Sequence, residues 1–163
     1  MSTFNKTTAY KKAQKEIYYS LEGETQIITK MATINCILKQ HIPYYFWVGF
    51  YIVNKPEELI VGPYQGTHGC LHISFSKGVC GAAAREAKTQ LVADVHQFPG
   101  HIACDSQTNS EIVIPVFDNE KNLIAVFDVD STEKKSFCKI DQEFLEDILK
   151  EQFSRDKINW TWG

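Results

Sequence analysis

The sequence contains no CxxC pair, and its cysteines and histidines never fall at zinc-finger spacing, so structural zinc is a poor reading. The five cysteines, Cys36, Cys70, Cys80, Cys104 and Cys138, are an odd number that cannot all pair within the chain. Cytosolic thiols are mostly held reduced, which leaves buried inert thiols, reactive ones, or a mixture. No apolar stretch approaches the roughly eighteen residues a membrane span needs. The opening segment "MSTFNKTTAYKKAQKEIYYS" has no apolar signal-peptide core, and the expected setting is the cytoplasm. Like charges form no block, and a formal net charge of −3 argues against a nucleic-acid or anionic-membrane partner. Repeats, low-complexity segments and interdomain linkers are also missing.

What is present is an ordinary globular composition, 44% hydrophobic and 23% charged over 163 residues. That is enough to bury a core without staples, and residues 1–163 read as one domain. Residues 1–43 hold two helices, at 5–20 and 24–40. In the second, Ile27, Ile28, Met31, Ile34, Ile37 and Leu38 recur at three- and four-residue steps and form one apolar face. Residues 44–131 shift to short aromatic and β-branched runs, read as strands at 44–53, 58–63, 70–75, 89–94, 111–117 and 122–130. "GVCGAAAREA" (78–87) reads as a glycine-rich turn entering a short helix. Residues 140–163 hold a closing helix at 141–153 and the tail "DKINWTWG", with Trp160 and Trp162 at its end. The fold class is α+β: a central antiparallel sheet of about six strands with N-terminal and C-terminal helices packed on it.

The chemistry-bearing residues cluster in the strand region. Cys104, in "GHIACDSQTNSEIVIP", lies in a loop of about fifteen residues, a length that in a compact domain usually carries function. A semi-exposed thiol of no consequence is the plain alternative. Cys80 stands where a helix begins, so its thiolate is stabilised by free backbone N–H groups, or else it packs a helix–strand junction. Cys70 opens an alternating strand and reads equally as half-buried core, while Cys36 and Cys138 read as structural.

Asp128 and Asp130 are two residues apart at the end of an interior strand, so both project from one face of the sheet. Either they cap the turn at "DSTEKK" or they meet a cation, since unpaired buried charge is expensive. With Glu111 at the start of the neighbouring strand, three carboxylates at the mouth of a sheet suit an ammonium group or proton donation. Trp47 and Tyr51 share a strand face, as core or as walls of an apolar slot that accepts sulfur.

The runs "WVGFYIV", "LIVGPYQG", "GVCGAAA", "QLVADVHQFPGHIACDSQTNSEIVIPV" and "LIAVFDVDS" resemble the free methionine-(R)-sulfoxide reductases, small stand-alone GAF-domain enzymes. The resemblance spans about residues 44–131 and implies a GAF-like fold. It implies thiol-dependent reduction of free L-methionine (R)-sulfoxide, with Cys104 as nucleophile and Cys70 resolving its sulfenic acid as a disulfide. Cys80 would be a third thiol, either an alternative resolving partner or a relay. Glu111, Asp128 and Asp130 would bind the substrate's polar end and assist protonation, with Trp47 and Tyr51 lining the pocket. Thioredoxin would be the reductant, no metal or organic cofactor would be required, and a homodimer through the terminal helices would be admitted. Ser76 and Ala125 stand where the family pattern has glycine; the first would tighten a turn before Cys80, the second would crowd the site. A ligand-sensing GAF module without catalysis is the alternative, although no output domain or signalling helix accompanies it.

Overall fold

The computed structural model describes residues 4–102, 104–155 and 160. Helices α1 (Lys6–Ser20) and α2 (Ile27–His41) come first. Strands β1 (Trp47–Lys55), β2 (Glu58–Gln65) and β3 (His72–Ser74) follow, then helix α3 (Gly78–Glu86) and strand β4 (Gln90–Val92). A short 3-10 turn at Val95–Gln97 leads through a loop into β5 (Ser110–Phe117) and β6 (Leu123–Ser131), and α4 (Lys139–Phe153) closes the chain. The six strands form one antiparallel sheet in the order β3-β2-β1-β6-β5-β4, a GAF-like α+β arrangement.

The period of two along the central strands divides the residues between two cores. Val48, Phe50, Ile112, Ile114, Phe127 and Val129 face α1, α2 and α4. Trp47, Tyr51, Val113 and Val126 point the other way, toward α3 and the long loops. Asp128 and Asp130 fall on this second face, because their neighbours Phe127 and Val129 belong to the first. β6 lies between β1 and β5, the interior position its unbroken apolar run indicates.

Most element ends shift by one to three residues from the sequence reading, α2 beginning at Ile27 and β4 covering only Gln90–Val92, and three shifts have a visible cause. Strand β1 starts at Trp47, because Tyr44 and Tyr45 are drawn into a phenol network: the Tyr44 hydroxyl donates to Asp141, and the Tyr45 hydroxyl meets that of Tyr10 at 2.7 Å. Helix α4 starts at Lys139 because Asp141 is its third residue and accepts the Cys138 backbone N–H at 2.7 Å. Asp141 also accepts Lys6 Nζ at 2.6 Å and the Tyr10 hydroxyl at 2.9 Å, tying α1, α4 and the approach to β1 together. The third is Cys70, which lies in the loop before β3 rather than opening the strand. Ala125 is packed against the helices on the first face, so it does not crowd the side that carries the carboxylates. Trp160 is exposed, and Trp162 lies outside the described residues.

Candidate active site

Three central strands bring the carboxylates together by register. Glu111 of β5 sits opposite Asp130 of β6, which sits opposite Trp47 of β1. One pleat along, Val113, Asp128 and Gly49 form the parallel row. Gly49 has a definite use here: a Cβ at this position would lie 2.6 Å from the Trp47 ring and 2.4 Å from Tyr64 Cβ. Its bare backbone lets the indole lie along the strand, stacked against Tyr51 at 5.7 Å and Tyr64 at 5.2 Å. Trp47 Nε1 donates to Thr67 O at 3.0 Å, fastening this aromatic wall to the loop that carries Cys70.

Helix α3 covers the row from above. Gly81 lets α3 pass close to the end of β3, since a Cβ there would come within 2.6 Å of Ser74 O. The turn before α3 is tightened by Ser76, whose hydroxyl lies 2.9 Å from that of Ser74. Gly78, at φ +66, donates its N–H to Gly100 O and so ties the start of α3 to the Cys104 loop. The loop's other end is held by Asn109, which donates its N–H to Ser131 O and its side-chain amide to Thr132 O. Asp105 accepts from the Thr67 hydroxyl at 2.5 Å and from Gln107 N at 2.8 Å.

Together these elements enclose a cavity of about 40 Å³, lined by Trp47, Tyr51, Cys80, Cys104, Glu111, Asp128 and Asp130 among others. Cys70 is joined to Cys104 by a disulfide with the Cα atoms 5.3 Å apart, well inside the usual range. The loop cysteine and the strand-borne acids thus share one space, as the spacing along the chain could not reveal. His68, His101 and Thr108 also line the cavity. His68 was visible as a neighbour of Cys70; nothing local distinguishes Thr108.

No lysine or arginine lines this cavity among the described residues, and the electrostatics follow. Burial, then the charges of Asp128 and Asp130, push the Glu111 carboxyl well up. Burial pushes Asp128 up to about 7, and Asp130 is raised by burial and by Asp128 and Asp105. Asp128 Oδ1 is buried with no hydrogen-bond partner. The Cys80 thiol is also driven up, by burial first and the three carboxylates next. That corrects the reading of Cys80 as a thiolate stabilised at a helix start: it is the third residue of α3, but the acids beneath it and the loss of water outweigh the helix dipole. Burial and the neighbouring His96 lower His101, whose Nδ1 is buried and unpartnered. The site can therefore keep carboxyl protons near neutral pH, attract a cation, and offer a sulfur beside both.

Residues 45–150 match the family described as "GAF domain". Fold and match together define a GAF-domain protein. The "Free methionine-R-sulfoxide reductase" of Escherichia coli (strain K12) is 35% identical over 145 residues, 89% of this chain and 87% of the relative. The structure of the Staphylococcus aureus enzyme of that family in its reduced form aligns with TM-score 0.86 at 42% identity, covering 94% of this chain and 97% of that one. The free methionine-R-sulfoxide reductase of Neisseria meningitidis, in complex with its substrate, gives TM-score 0.86 at 36% identity, covering 94% and 93%. The chain belongs to the free methionine-R-sulfoxide reductase family. No helix among the described residues is long and apolar enough to cross a membrane.

Proposed function

We propose that the protein reduces free L-methionine (R)-sulfoxide to L-methionine, with Cys104 as nucleophile. The observation that carries this reading is the disulfide between Cys104 and Cys70, with Cys104 lining a cavity that also holds the buried Glu111 and Asp128 and the half-buried Asp130. A sulfoxide sulfur accepts a thiol only as its oxygen is protonated, so the chemistry needs sulfur on one side and an acid on the other. The amino acid's ammonium group would enter among Glu111, Asp128 and Asp130 and favour their ionisation, while the proton still held there passes to the sulfoxide oxygen. Trp47 and Tyr51 would hold the thioether end.

Cys104 attacks the sulfoxide sulfur to form a transient S–S adduct carrying the protonated oxygen. As that S–S bond and the S–O bond break, the hydroxyl passes to Cys104 as a sulfenic acid and methionine leaves with the sulfur's lone pair restored. Cys70 then displaces that oxygen as water, forming the disulfide. A dithiol reductant of the thioredoxin type restores both thiols by exchange, which fits a reducing compartment such as the cytoplasm. Cys80 is too buried and too strongly held as a thiol to serve first; it stands behind the pair as a relay. With the disulfide formed, a cavity of about 40 Å³ has room for water rather than an amino acid, so substrate binds the dithiol state.

The test is stereospecific turnover. Purified protein with thioredoxin, its reductase and NADPH is given the free R epimer, the free S epimer, and a peptide carrying methionine sulfoxide. Oxidation of NADPH with the free R epimer alone is the expected result. Equal rates with both epimers, or no loss of thiols on adding the R epimer, would replace catalysis with simple ligand binding.

A further inference from the structure

Three buried groups lining the cavity form a set of donors that the proposed reduction uses only in part. Cys80 Sγ from α3, one carboxylate oxygen of Glu111 from β5 and one of Asp128 from β6 lie within 4.8 Å of one another. All three residues are buried. The Asp128 Oδ1 atom is itself buried and has no hydrogen-bond partner. Elsewhere the fold treats a buried acid differently: Asp141 receives Lys6, Tyr10, Tyr44 and the Cys138 N–H. At Asp128 no lysine or arginine is supplied among the described residues, and its neighbours are the Cys80 thiol and the Glu111 carboxyl.

One thiol and two carboxylates on three different elements make a mixed sulfur–oxygen donor set. Magnesium and calcium take oxygen ligands in sixfold or higher shells, which a thiol-bearing trio does not provide. Zinc accepts sulfur at about 2.3 Å and carboxylate oxygen at about 2.0–2.2 Å, commonly with three protein ligands and one water. Those bond lengths bring donors to roughly 3–4 Å from one another, so closing the trio takes about 1 Å of movement, within the reach of a Glu111 rotamer adjustment. The cavity of about 40 Å³ admits the ion with one remaining water.

We propose that Cys80, Glu111 and Asp128 bind a single zinc ion in the disulfide form of the protein. Coordination deprotonates Cys80, its proton passing to solvent, and the ion places positive charge where no lysine or arginine among the described residues provides any. Occupancy would exclude an amino acid from the same space. That consequence rests on the proposed reductase function; the binding itself does not.

The experiment uses the full chain with Cys70 and Cys104 oxidised, so that neither offers a thiol, and no substrate. Cobalt(II) replaces zinc as the spectroscopic probe. The expected result is a thiolate-to-cobalt charge-transfer band that saturates at one equivalent and is erased by zinc. Cys80→Ser removes the band, whereas Cys36→Ser and Cys138→Ser leave it intact. Asp128→Asn weakens cobalt binding about tenfold or more, and it serves as the second variant because it keeps the thiol and the fold. A wild-type protein without the band, a band that survives Cys80→Ser, or full affinity in Asp128→Asn would each overturn the proposal.

Discussion

Replacing Asp128 by asparagine separates the energetic cost of the acid cluster from its use. Asp128 is buried, its Oδ1 atom has no partner, and burial raises its pKa to about 7. In the unfolded chain the same group ionises near the ordinary value of about 3.9. The folded protein therefore holds a proton that the unfolded chain releases, and stability falls as pH rises from about 4 to about 7. Between pH 5 and the folded value lie about two units at 1.36 kcal/mol each, so wild type loses roughly 3 kcal/mol that the asparagine variant keeps. Glu111 and Asp130 gain as well, because the Asp128 charge helps to raise both.

The assay is reversible urea unfolding of both proteins at pH 5 and pH 8 with the disulfide intact. The advantage of Asp128→Asn should widen by about 3 kcal/mol between the two pH values, which corresponds to a shift in Tm on the order of 10 °C for a chain of this size. Substrate affinity should collapse in the same variant. A stability difference independent of pH would refute the claim that Asp128 is an uncompensated acid held for function.

Two other substitutions test the frame around the site. Gly49→Ala forces a methyl group against the Trp47 ring and Tyr64, which should cost about 1–3 kcal/mol and raise KM more than it lowers kcat; thermal unfolding and steady-state kinetics read both. Asp141→Asn removes the anchor of α1 and α4 on the opposite face and should cost about 3 kcal/mol at neutral pH, leaving substrate affinity unchanged. Burial works against ionisation of Asp141 but is outweighed by Lys6, Tyr44 and the Cys138 N–H, so its folded pKa is depressed. Its contribution is present above the ordinary carboxylate range and lost as pH falls through the folded value, and unfolding curves of the two proteins should converge in strong acid.

Much of this architecture can be read from periodicity. The three- and four-residue spacing of α2 and the alternation along β5 and β6 assign each apolar side chain to a core, and two-residue spacing alone puts Asp128 and Asp130 on one face. Sequence spacing fails where a polar partner far along the chain decides the outcome. Tyr44 and Tyr45 have strong strand character, yet Asp141, almost a hundred residues later, claims the Tyr44 hydroxyl and delays β1. Cys80 has the local signature of a helix-start thiolate, but the acids that reverse its ionisation arrive on β5 and β6 through the sheet. The fit of Gly49 beneath Trp47 is equally silent in the sequence, because it depends on a ring from two residues away folding back over the strand.

The central claim, that the sulfur at position 104 performs the first chemical step, is tested most directly by trapping its product. The Cys70→Ser variant, fully reduced and mixed with free methionine (R)-sulfoxide and a sulfenic-acid-specific probe, should release one methionine per chain. Peptide mass mapping should then find the probe on Cys104. Methionine formed with the label on Cys80, or turnover that persists when Cys104 is also replaced by serine, would contradict the account.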